Sequence, residues 1–367
     1  MYWPANSIFL QSFPFATIIL GLWIGIGMPV IISAASPAVT SAPAVPLEQV
    51  QHVLIETLAL TEKGVQDSAI FQQVISERLA QAGFTPVHDI NTPHDIIVRV
   101  KCEERKTRKG PSKHRKGGHP LSTASRLWKG PACHISYRNQ GKPALWSWEV
   151  RTSFEDPGQA AKAAGVTNSG MYALQELQTQ LAQDEFPLYL AAEWGQTDRL
   201  IHLFQQATEQ PDRRRLILQL LGPLTSPTVL STIQKATQDP ALALTAIAAL
   251  GDQGEVAIPT LTGILDSPTN PEQHLVAIQA LGKIATHSKA PALYDHFIQQ
   301  LQSKDPRLQS VAVRGLGNLG DQRALPPLET LNLQAWTNPS THADIQELRE
   351  ALNWSLWQLN PDTHTAE

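Results

Sequence analysis

The sequence lacks the short motifs by which many enzyme classes are recognised. It contains no G-x-S-x-G nucleophile elbow, no H-E-x-x-H zinc helix and no phosphate-binding glycine loop between a strand and a helix. Gly315, Gly317 and Gly320 match G-x-G-x-x-G by letter, but their segment has helical periodicity, which excludes a dinucleotide site. We therefore expect no catalytic residue, no metal ion and no cofactor.

Cysteine is scarce, with Cys102 at the end of one predicted strand and Cys133 at the start of the next. A long antiparallel hairpin would place the two residues opposite each other, and an oxidising compartment would favour a disulfide. Two free, half-buried thiols are the alternative. A zinc site with His114, His119 and His134 would need closer ligand pairs than these spacings provide.

Charged side chains are absent from residues 1–46. Residues 8–32 are almost wholly apolar and long enough to span a bilayer, and Ser33 and Ala35 are small, as a signal-peptidase site requires. The sequence therefore predicts an exported protein, periplasmic or anchored to the inner membrane. Residues 1–35 are then a cleaved signal peptide or, since a basic n-region is missing and the apolar run is long, an uncleaved anchor.

Residues 36–46 are rich in alanine, proline and serine, which is typical of a flexible tether. The following residues, 47–185, predict a small α+β domain from their mixed helical and alternating patterns. The expected order is helix, helix, strand, long loop, strand, strand and helix. These elements are predicted at residues 50–60, 70–82, 96–100, 101–130, 134–138, 145–151 and 160–182.

A basic segment lies within the predicted loop 101–130. Residues 101–116 contain eight Lys or Arg and two Glu, and glycine and proline residues exclude a regular helix there. The segment is either a solvated loop or a contact for an anionic membrane surface, a cell-wall polymer or an acidic partner. Its candidate binding residues are Lys106, Arg108, Lys109, Lys113, Arg115 and Lys116.

Nucleic acid is not an expected partner. The net charge is −4, and residues 186–367 hold 12 Lys and Arg against 18 Asp and Glu, a net charge of −6. An acidic balance argues against a nucleic-acid interface in this half, and export argues against one in the basic segment.

One pattern occurs three times between residues 239 and 333. The segments AIAALG, AIQALG and AVRGLG end at Gly251, Gly282 and Gly317, and a period of roughly 30 to 35 residues is typical of stacked helical repeats. A fainter copy at residues 210–222 lacks the small residues of the others and predicts a terminal, capping unit. A helix-capping residue and a proline precede each full copy: Asp239 with Pro240, Asn270 with Pro271, and Asp305 with Pro306.

Each copy predicts two helices. The capping residue and proline suit a helix start, and the glycine suits a left-handed helix end. Apolar residues at helical spacing form the predicted core of the first helix: Leu244, Ile247, Leu250, Leu275, Ile278, Leu281, Val313, Leu316 and Leu319. Small residues beside them allow close helix contact: Ala246, Ala249, Ala277, Ala280, Ala312 and Gly315. Second helices are predicted to open at Pro259, Pro291 and Pro326.

These copies resemble the short HEAT-like repeats also found in phycobilisome lyases, most clearly over residues 305–331. The resemblance implies an ARM-type α-solenoid over residues 186–360, followed by a tail at 361–367. It also implies binding of another macromolecule rather than chemistry. Because second helices usually line the concave face of HEAT-type stacks, the resemblance implies these contact residues for a partner protein: Thr260, Tyr294, Gln299 and Glu329.

The sequence as a whole predicts a mixed fold, in which a small α+β domain precedes an all-α HEAT-like solenoid. The expected function is that of a non-catalytic scaffold or adaptor that holds another protein in the cell envelope. Two alternatives remain open. The resemblance allows a lyase-like helper in cofactor attachment, and the basic segment allows a module that acts at a membrane surface.

Overall fold

The computed structural model describes residues 45–104, 129–139, 142–266, 270–337 and 339–360. All of them belong to one compact unit, Ala44–Glu367. The predicted export segment, most of the tether and all six candidate residues of the basic segment lie outside the described residues. Within the described ranges, no helix is both long and apolar enough to cross a membrane.

Over the described residues, the first part of the unit contains one mixed sheet, three α-helices and a short 3-10 helix at Leu47–Gln49. The strands follow the order β2-β1-β4-β5-β6, with β3 also paired to β1. β1 and β4 are parallel, whereas β4, β5 and β6 are antiparallel neighbours. The elements are β1 His52–Thr61, β2 Gly64–Gln66, α1 Ala69–Gln81, β3 Thr85–Val87, β4 Ile96–Glu103, β5 Ala132–Asn139, β6 Lys142–Arg151, α2 Pro157–Ala163 and α3 Ser169–Gln183.

β1 corrects the predicted first helix, since residues 52–61 form a central strand. Val53, Ile55 and Ala59 are buried on the same face, as the period of two requires, but Leu54 on the opposite face is buried as well. A strand buried on both faces gives a nearly continuous apolar run, and such a run satisfies helical spacing too.

The other elements of this part follow the sequence more closely. α1, β4, β5 and β6 are confirmed, and Gly83 ends α1 with a φ of +79°. The predicted closing helix is instead two helices. Gly165, with a φ of +72°, follows α2, and the side chain of Asn168 then caps α3 by accepting the N–H of Met171.

Cys102 and Cys133 lie opposite each other in the β4–β5 pair and are joined by a disulfide. Both side chains are buried in the sheet. β4 continues to Glu103, so Lys101 lies on the strand and not in the predicted loop. The strand pair and the covalent bond therefore hold the two ends of the connection between Cys102 and Cys133, which contains the basic segment, next to each other.

In its described residues, the second part of the unit contains helices and no strand. α9, α11 and α13 begin at or next to the prolines predicted to open second helices. The helices are α4 Phe186–Glu193, α5 Thr197–Gln206, α6 Pro211–Leu221, α7 Pro227–Ala236, α8 Ala243–Leu250, α9 Ile258–Leu265, α10 Pro271–His287, α11 Ala292–Gln300, α12 Pro306–Leu319, α13 Leu325–Thr337 and α14 Ala343–Leu359.

The helix starts are confirmed in two repeats and shifted in the third. Asn270 and Asp305 cap α10 and α12, because their side-chain oxygens accept backbone N–H groups of the first turn. Asp239 likewise accepts the N–H of Ala241 at 3.0 Å, but a turn follows and α8 begins only at Ala243.

The repeat glycines do not form the predicted left-handed helix ends. Gly251 has a φ of −61°, and α10 and α12 continue past Gly282 and Gly317. Gly251 instead permits close contact, because a Cβ atom there would lie 3.1 Å from the Cα atom of Ala280 on the next repeat. The true left-handed end of α12 is Gly320, with a φ of +73°.

The first helices α6, α8, α10 and α12 stack on one another, and α14 continues the stack. Their small residues Ala246, Ala249, Ala277, Ala280 and Ala312 are buried at these contacts, as predicted. Each second helix, α7, α9, α11 or α13, packs on the first helix that follows it.

The predicted capping unit at residues 210–222 is internal, because α4 and α5 precede it and α4 contacts the sheet, where Tyr189 stacks on Trp148. Trp194, between these helices, is fully buried with its ring against Phe84 and Tyr137, at centroid distances of 5.4 and 5.5 Å. Gln196 donates to the carbonyl oxygens of Leu47 and Val50 at 2.9 and 3.0 Å. Sheet and repeats therefore share one continuous core.

Asp184 lies in this junction, just after α3. Its Oδ1 accepts the N–H of Phe186 at 2.7 Å and the indole N–H of Trp148 at 3.0 Å. Burial raises the pKa of Asp184 above the ordinary aspartate value of 3.8, and these two hydrogen bonds offset only part of that effect.

We expect Gly315→Ala to destabilise the protein and Gly282→Ala to stabilise it. A Cβ atom at Gly315 would lie 2.5 Å from the ring of Phe297, whereas one at Gly282 would meet no atom within 4 Å. The first change should lower the free energy of unfolding by about 1–3 kcal/mol through overpacking. The second should raise it by up to about 1 kcal/mol through helix propensity. Chemical denaturation measures both, and equal effects would contradict the assigned role of Gly315.

The disulfide predicts that the protein, produced in an oxidising compartment and denatured without reductant, carries no alkylatable thiol at Cys102 or Cys133. Mass spectrometry of the alkylated protein checks this, with a reduced sample as the positive control. Replacing both residues by alanine should cost about 3–4 kcal/mol, because the bond closes a loop with a sequence separation of 31. Two alkylated cysteines in the unreduced sample would show that the bond does not form.

Asp184→Asn is expected to change how stability depends on pH. The raised pKa means that Asp184 contributes its full stability below the ordinary aspartate pKa and loses it as pH rises through the folded pKa. Because asparagine does not ionise, the variant should gain stability relative to the wild type across that interval. Denaturation curves from about pH 3 to about pH 7 measure the difference.

Asp305→Asn is the control of opposite sign, since the hydrogen bond from Arg307 lowers the pKa of Asp305. Asparagine also caps helices well, so the cap itself is retained. This variant should lose stability relative to the wild type as pH rises. The same slope for both variants would exclude the assigned effect of burial on Asp184.

Candidate binding groove on the helical repeats

A groove with a volume of about 480 Å³ crosses α6, α8 and α10 on the solvent-exposed face of these first helices. It has an apolar floor with small side chains at its centre, and a polar rim. Its lining residues are Gln219, Leu244, Thr245, Ala248, Ala249, Asp252, Val276, Gln279, Ala280 and Lys283.

The floor of the groove follows from the helical phase of α8. Ile247 and Leu250 are buried, whereas Leu244 is 44% exposed and corrects its prediction as a core residue. Three residues turn a helix by about 300°, which is about 60° short of a full turn. Residues that follow one another at a spacing of three therefore move around the helix and do not stay on one face. Leu244 therefore faces the groove. Ala248, one turn later on the same face, has a side chain too small to fill the groove.

The charges of the groove pair with each other. Lys283 on α10 donates to the carboxylate of Asp252, which follows α8. The other polar lining residues, Gln219, Thr245 and Gln279, are uncharged. The groove therefore has no net charge, and its ion pair lies at the rim, where it contributes little to stability.

Gln253 fixes the loops beneath the groove. Its buried side-chain amide donates hydrogen bonds to the carbonyl oxygens of Gly222 at 2.6 Å and Leu224 at 3.1 Å. These bonds tie the end of α8 to the loop after α6. Together with the contact of Gly251 on Ala280, they fix the relative positions of α6, α8 and α10 around the groove.

Two of the contact residues predicted on second helices take part in internal contacts. Thr260 on α9 accepts a hydrogen bond from Gln234 at 2.7 Å and lines a separate cavity of about 290 Å³. Tyr294 on α11 donates its hydroxyl to the carbonyl oxygen of Arg323 at 3.0 Å, and the guanidinium lies 4.3 Å from the ring centroid.

The other two, Gln299 on α11 and Glu329 on α13, are exposed. The four residues thus lie on three different second helices, and none of them lines the groove on the first helices. The structure assigns them no common site, and their role in binding stays a prediction.

The groove could have been found by comparing one equivalent position in the four aligned repeats. The residue eight positions after each repeat proline faces outward on the first helix. It is uncharged in three repeats and charged in the fourth, where the groove has ended: Gln219, Ala248, Gln279 and Arg314. The resemblance to HEAT-like repeats directed attention to second helices, and this position on the first helices was therefore missed.

In the described part of the chain, no group of three or more His, Cys, Asp or Glu side chains is placed to hold a metal ion. Another cavity, of about 420 Å³, lies between β6 and α3 and includes Asp184. Asp184 already accepts two hydrogen bonds there, so we assign it to the fold.

Comparison with protein families identifies one repeat. Residues 308–331 match the family model of the PBS lyase HEAT-like repeat. The matched segment runs from the first turn of α12 to the middle of α13, which is one pair of helices. Comparison with curated proteins found no match to this chain. The helical part of the chain is therefore similar to HEAT-like repeats, with a direct sequence match over a single unit.

Proposed function

We propose that the protein is a non-catalytic scaffold or adaptor that binds another protein through its helical repeats. The match to a HEAT-like repeat and the series of packed helix pairs support this function. Stacked repeats expose a long, regular surface, and such surfaces commonly bind macromolecules.

The groove on α6, α8 and α10 is the observation that carries the proposal. Its floor is apolar and partly exposed, its rim is polar, and its charges are paired. This combination of an apolar centre and a polar rim is typical of protein interfaces. Most of its outward side chains, such as Leu244 and Ala248, do little to hold the core, so they are available to a partner.

We assign the concave side of the stack to the first helices. They pack directly on one another, whereas each second helix packs on the first helix that follows it. In a curved stack the more closely packed layer lies on the inner side, and this geometry would produce the ARM-type superhelix. The groove then lies on the concave side, in place of the second-helix residues that the resemblance implied.

The location of the protein is proposed from the sequence alone. The uncharged apolar segment within residues 1–35 supports export, so the scaffold would act in the periplasm or at the inner membrane. The basic segment would add an electrostatic contact with an anionic membrane surface or a cell-wall polymer. Salt-sensitive binding of the protein to anionic vesicles would support this second contact.

A lyase-like helper function is the second candidate, and it rests on the PBS lyase HEAT-like match at residues 308–331. Addition of bilin to the purified protein would then change the visible absorbance of the pigment. The scaffold proposal expects an unchanged spectrum.

Site-specific crosslinking tests the scaffold proposal. A photoreactive residue at Ala248 should crosslink a partner protein in cells that export the full chain, because Ala248 lies at the centre of the groove. In affinity capture, Ala248→Arg should weaken binding of that partner about tenfold or more, since it buries an unpaired charge in the interface.

Gln299→Arg is the matched control, because it adds the same charge at an exposed position on a second helix. It should leave capture unchanged. Loss of the partner with Gln299→Arg, and not with Ala248→Arg, would favour the second-helix residues. Retention with both variants would exclude the groove as the binding site.

A further inference from the structure

α13 carries two large apolar side chains on its outward face. Leu333 is 69% exposed and Trp336, about one turn later, is 56% exposed. The inward face of the same helix buries Leu328, Leu331 and Ala335. We call Leu333 and Trp336 the α13 stripe.

The stripe is uncharged and is partly fixed in place. Glu329 is the single charged residue of α13, and residues 330–337 contain none. The guanidinium of Arg349 on α14 lies 5.1 Å from the ring centroid of Trp336, and it also donates to the carbonyl oxygen of Ala335 at 3.1 Å. A ring held in this way loses little conformational entropy when it binds.

The stripe fits the groove in the spacing of its apolar side chains and in its lack of charged residues. Two apolar side chains one turn apart on a helix are the usual anchors of a helix bound in an apolar groove. The only charges of the groove, Asp252 and Lys283, pair with each other. A charged helix face would therefore bury an unpaired charge over Leu244. Leu333 and Trp336 carry no charge to bury there, and the guanidinium that contacts the Trp336 ring, that of Arg349, is held by the carbonyl oxygen of Ala335.

We propose that the groove receives the α13 stripe of a second copy of this chain. The proposal rests on the assignment of the groove as a protein-binding site, and it names the partner. Groove and stripe lie on different helices, so the contact is head to tail. Each added copy then leaves one groove and one stripe available, and the assembly continues until it closes into a ring or forms an open chain.

The test uses two differently tagged full-length copies in the same cells. One copy carries a photoreactive residue at Ala248 in the groove, and the other carries either the natural stripe or the double substitution Leu333→Asp and Trp336→Ser. We expect a crosslinked product with the mass of two chains, and mass spectrometry should map the crosslink to α13. The stripe variant should reduce this product about tenfold or more.

Leu145→Asp is the matched control, because Leu145 on β6 is a fully exposed apolar residue outside both surfaces. It should leave the crosslinked product unchanged. The stripe residues are exposed, so the variant is expected to fold, and its resistance to limited proteolysis checks this. The single variant Trp336→Ala provides a milder second measurement if the double variant is degraded.

The outcomes separate this inference from the proposed function. Crosslinks from Ala248 to a different protein, and none to a second copy, would overturn the self-association and leave the scaffold function in place. Crosslinks to a second copy outside α13 would overturn the role of the stripe. If no protein crosslinks to Ala248, both proposals fail.

Discussion

Close contact between the first helices is the constraint on which the repeat stack depends. Where Gly251 meets Ala280, backbone and side chain approach so closely that even one additional methyl group would have to displace its neighbour. Small side chains at the contacts bring the helix axes together, and the larger residues Ile247 and Leu281 then fill the core beside them. The same closeness forms the groove, because outward residues of adjacent first helices become neighbours on one surface.

The sheet and the repeats stabilise each other through the same kind of contact. Trp194 lies between the ring edges of Phe84 and Tyr137, and Gln196 binds the backbone that leads into β1. Burial and the carboxylate of Glu193 raise the pKa of the Tyr137 hydroxyl to about 12, so this residue remains a neutral hydrogen-bond donor at physiological pH. The first helix pair thus acts as an adaptor between two kinds of secondary structure, and its large buried side chains replace the small ones used further along the stack.

The sequence predicted the features that depend on local chemistry. The caps at Asn270 and Asp305, the small residues of the first helices and the strands β4, β5 and β6 all follow from short-range preferences, whereas the short strands β2 and β3 were not predicted. It failed where tertiary context decides. β1 is apolar on both faces because it is central, and Gly251 serves a contact between repeats rather than its own helix end. The groove was missed for the same reason, since helix spacing alone does not show which face a neighbouring repeat will cover.

The disulfide at the base of the connection between Cys102 and Cys133, which contains the basic segment, has a consequence for how that connection can vary. Strand pairing and the bond between Cys102 and Cys133 fix its two ends side by side, whatever lies between them. Because the two ends are fixed, a doubling of the length between them would cost only about 0.6 kcal/mol in chain entropy. Insertions and changes of composition can therefore accumulate there without disturbing the sheet, and selection can adjust the electrostatic properties of the segment independently of the fold that carries it.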